Sequence, residues 1–91
     1  MTKQTTKNLA GVLLLPTGLQ EMEQLLTDLL TPQEIERILV RWQNAKLSAE
    51  GFPREEIQKE TGSSLTTISR AKGVVDHGTG VIKTLLARRE Q

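Results

Sequence analysis

Apolar residues recur along this chain at helical spacing, and nowhere do they alternate at period two for long enough to form a strand. The run from Leu9 to Leu15 reads as a short helix whose apolar faces need a partner surface. Residues 1–8 before it are polar and read as a mobile arm. A second helix is expected from Thr17, which carries Gln20 three residues later in the spacing of a capping box. Leu19, Met22, Leu25, Leu26, Leu29 and Leu30 then form its stripe. The next start signal is sharper: Thr31 as N-cap, Pro32 at the first helical position and Glu34 reaching back to the cap. Ile35, Ile38, Leu39, Trp42, Ala45 and Ala49 share one face of the helix that follows, and Gly51 ends it.

Shorter elements follow. Pro53 opens a helix with Glu55 and Glu56 in its first turn, where the helix dipole favours acids, and Gly62 stops it two turns later. Ser63 or Ser64 caps the next helix, expected to run through Lys72 or a little beyond. Gly78 breaks the chain, Thr79 caps, and a final helix ends in Arg88 and Arg89. The pattern gives an all-α fold of five to six short helices: one domain over residues 9–91, with a helix-turn-helix at 53–73.

Composition narrows the function. A chain of 91 residues with one Trp, one Phe and no Tyr buries only a thin core by itself, so a second copy of the chain is the expected supplement. Zero Cys excludes disulfides and thiolate metal sites and suits a reducing cytoplasm. Lys3 and Lys7 before the apolar run imitate a signal peptide, but the run is short and no small-x-small cleavage site follows. No segment has the roughly 20 apolar residues of a membrane span. An enzyme is not expected. His77 stands alone in a glycine turn, there is no nucleophile-base pair, and the glycines lack nucleotide-binding spacing.

Net charge is +1, but it is unevenly placed. Leu9 to Glu36 holds five acids and no base, whereas Ser64 to Arg89 holds five bases against Asp76. The basic back half suits a polyanion. Within it, the helix-turn-helix register puts Ile57, Thr61, Ile68, Ala71 and part of Leu65 inward around Gly62. Gln58 departs from the small residue often found at the tightest contact. Thr66, Thr67, Ser69, Arg70 and Lys72 are then left outside, with Ser64 at the helix start. Short hydroxyl side chains let a helix sit deep in a major groove and bond bases or phosphates, and the cations supply sequence-independent attraction. The rival is a solvated, N-capped helix, and a dimeric helix-turn-helix adaptor that binds another protein stays open beside a DNA reader.

The stretches Leu30 to Arg41 ("LTPQE…R") and Thr61 to Ala71 ("TGSSLTTISRA") resemble the Trp repressor superfamily. The tail from Thr66 to Arg88 is similar to the YerC/YecD branch of TrpR-like proteins, and the likeness covers roughly residues 17–89, with nothing usable in residues 1–8. The resemblance implies an intertwined, all-helical homodimer that represses transcription from a palindromic operator. It implies Leu65, Thr66 and Ser69 as base readers, Thr67 and Lys72 on the DNA backbone, and Arg54 on phosphate. Glu55 and Glu56 argue against close contact beside Arg54.

It also implies a corepressor pocket, in which Thr31, Arg41 and Arg70 match the family's threonine and two arginines. Ala71 replaces its glycine and Val74 its serine. A methyl where an indole should lie flat narrows the slot, and Val74 cannot bond the ligand's amine, which costs about 1.5–3 kcal/mol. Tryptophan is therefore not expected as corepressor, nor any other cofactor; Arg41 and Arg70 have Glu34, Glu36 or DNA phosphate as alternative partners.

Overall fold

A computed structural model describes residues 2–89. Among them there are six α-helices and no strand, so the chain is all-α. The helices are α1 (Lys3–Leu13), α2 (Leu19–Leu29), α3 (Pro32–Ala49), α4 (Arg54–Thr61), α5 (Leu65–His77) and α6 (Val81–Arg89). Among the described residues no helix is long and apolar enough to cross a membrane.

Local chain chemistry sets most of the boundaries. At α3 the capping box forms as the sequence indicates: the Glu34 N–H donates to Thr31 Oγ1 at 3.2 Å, and the Thr31 N–H donates to Glu34 Oε1 at 2.9 Å. Its end is closed by two reverse bonds, from the Gly51 N–H to the Ser48 carbonyl and from the Phe52 N–H to the Leu47 carbonyl. Gly62 ends α4 with φ +71°, a left-handed conformation that costs glycine little, and its N–H donates to the Gln58 carbonyl at 2.8 Å. Ser64 caps α5, accepting from the Thr67 N–H.

Three expectations need correction. Helix α1 starts at Lys3, so residues 3–8 of the expected arm are helical; Thr2 Oγ1 caps that turn by accepting from the Thr5 N–H at 3.1 Å. Helix α2 has no capping box with Gln20. Instead the Thr17 N–H and hydroxyl both donate to Glu21 Oε1, at 2.8 and 2.9 Å. Helix α5 continues to His77, because Val74 and Val75 extend it past Gly73; His77 is its last residue rather than a turn residue. Ile38 and Leu39, on the apolar face of α3, are each about half exposed in the single chain, as expected of a stripe that needs a second copy to cover it.

The chain divides into two regions, one ending at Ile35 and one starting at Glu36. In the first, neither α1 nor α2 buries a residue, and Leu14, Leu15 and Leu19 are 83%, 75% and 75% exposed. The second has a small core of Ala45, Ile57, Ile68 and Val75, with Ile57 and Ile68 at the contact of α4 with α5.

Candidate nucleic-acid interface

Helix α5 has two faces. Ile68 and Val75 are buried and Ala71 is half-buried, a spacing of three, four and seven that defines one side. Thr61, the other inward position, is also half-buried; its hydroxyl donates to the Ile57 carbonyl at 2.9 Å. Leu65, Thr66, Ser69, Arg70 and Lys72 are all exposed, as is Thr67. With 13 residues, α5 is about 20 Å long. That suffices to lie along a major groove about 12 Å wide.

Ser64 is exposed too, but its hydroxyl is held locally: it accepts from the Thr67 N–H at 3.2 Å and lies 3.0 Å from Thr67 Oγ1. Both hydroxyls therefore stiffen the first turn of α5 before any ligand arrives. Arg54, the first residue of α4, reaches across the motif and donates from Nη1 to Ser69 Oγ at 3.3 Å. Two side chains expected at DNA are thus in contact with each other. Arg70 and Lys72 add two cations to the same helix, against one acid, Asp76.

A cavity of about 560 Å³ lies behind α5. Four of the five residues expected at a ligand pocket line it: Arg41, Arg70, Ala71 and Val74. The fifth, Thr31, belongs to the other region, where its hydroxyl serves as the α3 N-cap. Trp42 and Thr67 are further walls, and Val74 offers the cavity no side-chain hydrogen-bonding group. Among the described residues no group of three or more His, Cys, Asp or Glu could hold a metal ion.

Nothing in the hydrophobic pattern announced Asn44. It is fully buried, lines the cavity, and donates from Nδ2 to Ser63 Oγ at 3.0 Å. Its Oδ1 has no hydrogen-bond partner among the described residues. Position 44 falls beside the apolar stripe of α3, and an amide there reads as solvated surface; only tertiary packing reveals the burial.

Comparison with known proteins agrees with this geometry. A family model described as Trp repressor protein matches residues 4–90, and so reaches back into α1, where the sequence alone offered no likeness. The chain is 34% identical over 70 residues to the uncharacterized protein YerC of Bacillus subtilis (strain 168), covering 77% of this chain and 67% of that protein. No solved structure matches.

Proposed function

Because the chain belongs to the Trp repressor family, we propose that it is a sequence-specific, double-stranded DNA-binding transcriptional regulator, acting in the cytoplasm as a homodimeric repressor on a palindromic operator. The observation that carries this reading is the outward face of α5: a capped, buried-backed helix presenting Leu65, Thr66, Ser69, Arg70 and Lys72. Leu65, Thr66 and Ser69 read base edges, while Thr67, Arg70, Lys72 and Arg54 attend to the backbone. Two such helices, one from each protomer, enter successive major grooves about 34 Å apart, which is why the operator is palindromic. Repression follows from occupancy of that site.

Dimerisation is supported by the uncovered leucines of the first region and by Ile38 and Leu39 on α3. Tryptophan is not the corepressor in this reading, since Ala71 and Val74 line the cavity with methyl groups. Calorimetric titration tests that point: saturable binding at micromolar affinity, with tighter operator binding in its presence, refutes it.

Selection of bound sites from random double-stranded DNA tests the central reading. A palindromic consensus is the expected result, with affinity falling steeply as salt rises. Thr66→Ala and Ser69→Ala should each change affinity by about 1–3 kcal/mol at one base pair. Arg70→Ala and Lys72→Ala should weaken all sequences and flatten the salt slope by about one unit each. No enrichment, or binding insensitive to salt, favours a protein-binding adaptor instead.

A further inference from the structure

Asn44 holds the turn of the helix-turn-helix from behind. Its Nδ2 donates to Ser63 Oγ, and Ser63 sits between the turn glycine, Gly62, and the α5 cap, Ser64. The Ser63 N–H in turn donates to Thr61 Oγ1 at 3.2 Å, and the Thr61 hydroxyl donates to the Ile57 carbonyl. A continuous polar path therefore runs from the middle of α3, through the turn, into the last turn of α4. Everything on it is buried or half-buried except the backbone it holds.

The arrangement is costly as a pure stability device. A fully buried amide with one end unsatisfied loses more in desolvation than a single neutral hydrogen bond returns. Turning the amide over would offer Oδ1 to the Ser63 hydroxyl and leave Nδ2 without a partner, so neither orientation removes the deficit. A leucine has the same branched shape without the polar cost, and the adjoining cavity leaves room for its larger methyl groups. What leucine could not do is fix Ser63 in direction as well as distance. An apolar contact tolerates sliding, whereas a hydrogen bond does not.

We propose that Asn44 is a positioning residue for DNA reading: through Ser63 it fixes the turn, and hence the entry point and axial rotation of α5, so that Thr66 and Ser69 meet base edges in one register. The inference rests on the DNA-reading function above. It requires no occupant in the cavity, because the tether is built into the chain. Asn44 itself touches no DNA.

The experiment pairs Asn44→Leu and Ser63→Ala, singly and together, in the full-length protein. Thermal unfolding is read beside affinity for the selected operator and for a scrambled duplex of equal length. The wild type must first prefer its operator; if it does not, the DNA-reading function fails, separately from the role of Asn44. Given that preference, Asn44→Leu should keep or raise the unfolding midpoint yet lose about tenfold in operator-over-scrambled preference, the scale of one hydrogen bond. Ser63→Ala, at a half-buried position that tolerates alanine, should lose a similar factor, and the double variant no more than either single one. Unchanged preference in both folded single variants overturns the proposal. So does a loss in the double variant equal to the product of the two, since the residues would then act independently. If Asn44→Leu fails to fold, Ser63→Ala alone decides: full preference in that variant overturns the tether, and lost preference in a variant that still unfolds cooperatively supports it, with the midpoint expected to fall because Asn44 Nδ2 loses its partner.

Discussion

Helices α2 and α5 make the instructive contrast in this molecule. Helix α2 carries Leu19, Met22, Leu25, Leu26 and Leu29 in 11 residues and buries none of them fully. Helix α5 is longer and poorer in large apolar side chains, yet it buries Ile68 completely and Val75 nearly so. A stripe at period 3.6 therefore says that a helix has a face to cover, and not what covers it. For Ile57 and Ile68, in the region from Glu36 onward, the cover is another element of the same chain. In the region up to Ile35 it is absent from the single chain, as it is for the leucines just before α2.

The largest expected effect breaks the self-sufficient side of that contrast. Ile68 has no exposed surface and lies in the contact of α5 with α4. Ile68→Ala should cost about 2–5 kcal/mol of stability, as cavity-forming changes in cores do. Denaturant titration measures it, and a loss below about 1 kcal/mol would mean the α4–α5 core repacks freely.

The next breaks the other side. Leu15→Asp with Leu19→Asp places charges on side chains that are three-quarters exposed in one chain. A monomeric protein would scarcely notice. If these leucines are covered by a second copy, each should forfeit about 1.5–3 kcal/mol of assembly energy. The wild-type unfolding midpoint should rise with protein concentration, and the double variant should unfold earlier at every concentration. A compact, folded wild-type monomer sedimenting at micromolar concentration would sink the homodimer.

A third change sharpens the boundary between α5 and α6. Gly78 follows α5, and a Cβ added there would overlap the Val74 carbonyl oxygen, a backbone atom that cannot swing away. Gly78→Ala should therefore destabilise by about 1–3 kcal/mol, as overpacking does. Amide exchange of the last turn of α5 localises it: protection should fall at Gly78, whose N–H donates to that carbonyl, before it falls at Ile68.

What the sequence revealed follows the same division. The Thr31–Glu34 box, the Gly62 turn and the inward Ile57 and Ile68 were legible because each is decided within a few residues or by one helical period. Gly51 and its reverse bonds belong with them. The start of α1 was not, since Thr2 caps a turn that has no apolar stripe to announce it. That Ile38 and Leu39 would lack cover in one chain followed from the thin core, although the stripe itself looks the same whether its cover lies in the same chain or elsewhere. Asn44 was missed for a different reason: its polarity argues for solvent, and its burial arises from packing between segments 19 residues apart. At the reading helix, exposure of the expected residues was foreseeable, but the Arg54–Ser69 contact was not. Two long-range polar contacts, then, hid behind a local pattern that was otherwise correct.

The smallest expected effect asks whether the first region keeps any structure that owes nothing to a partner. Glu21 is fully exposed, yet its carboxylate accepts the Thr17 N–H and the Thr17 hydroxyl. The backbone bond is the larger cause, the hydroxyl the second, and together they hold the Glu21 carboxyl below its ordinary value of 4.5 against a slight opposing effect of desolvation. A carboxyl depressed on folding contributes stability that is complete above its unfolded value and is lost as pH falls through its folded value. The start of α2 should therefore be unaffected from neutrality down to about pH 5 and loosen below 4.5. Glu21→Gln should remove this pH dependence. Thr17→Val, which keeps the backbone N–H, should leave most of it. Carbon-detected NMR titration of the Glu21 carboxyl reads the effect directly, and the Leu15→Asp, Leu19→Asp variant supplies the decisive comparison. Because the cap is made within five consecutive residues, its depressed titration should survive in that variant as long as α2 remains helical. A Glu21 carboxyl that titrates at its ordinary value in the wild type would show that the cap does not form in solution. One that does so only in the variant would show that even this local turn depends on the partner surface.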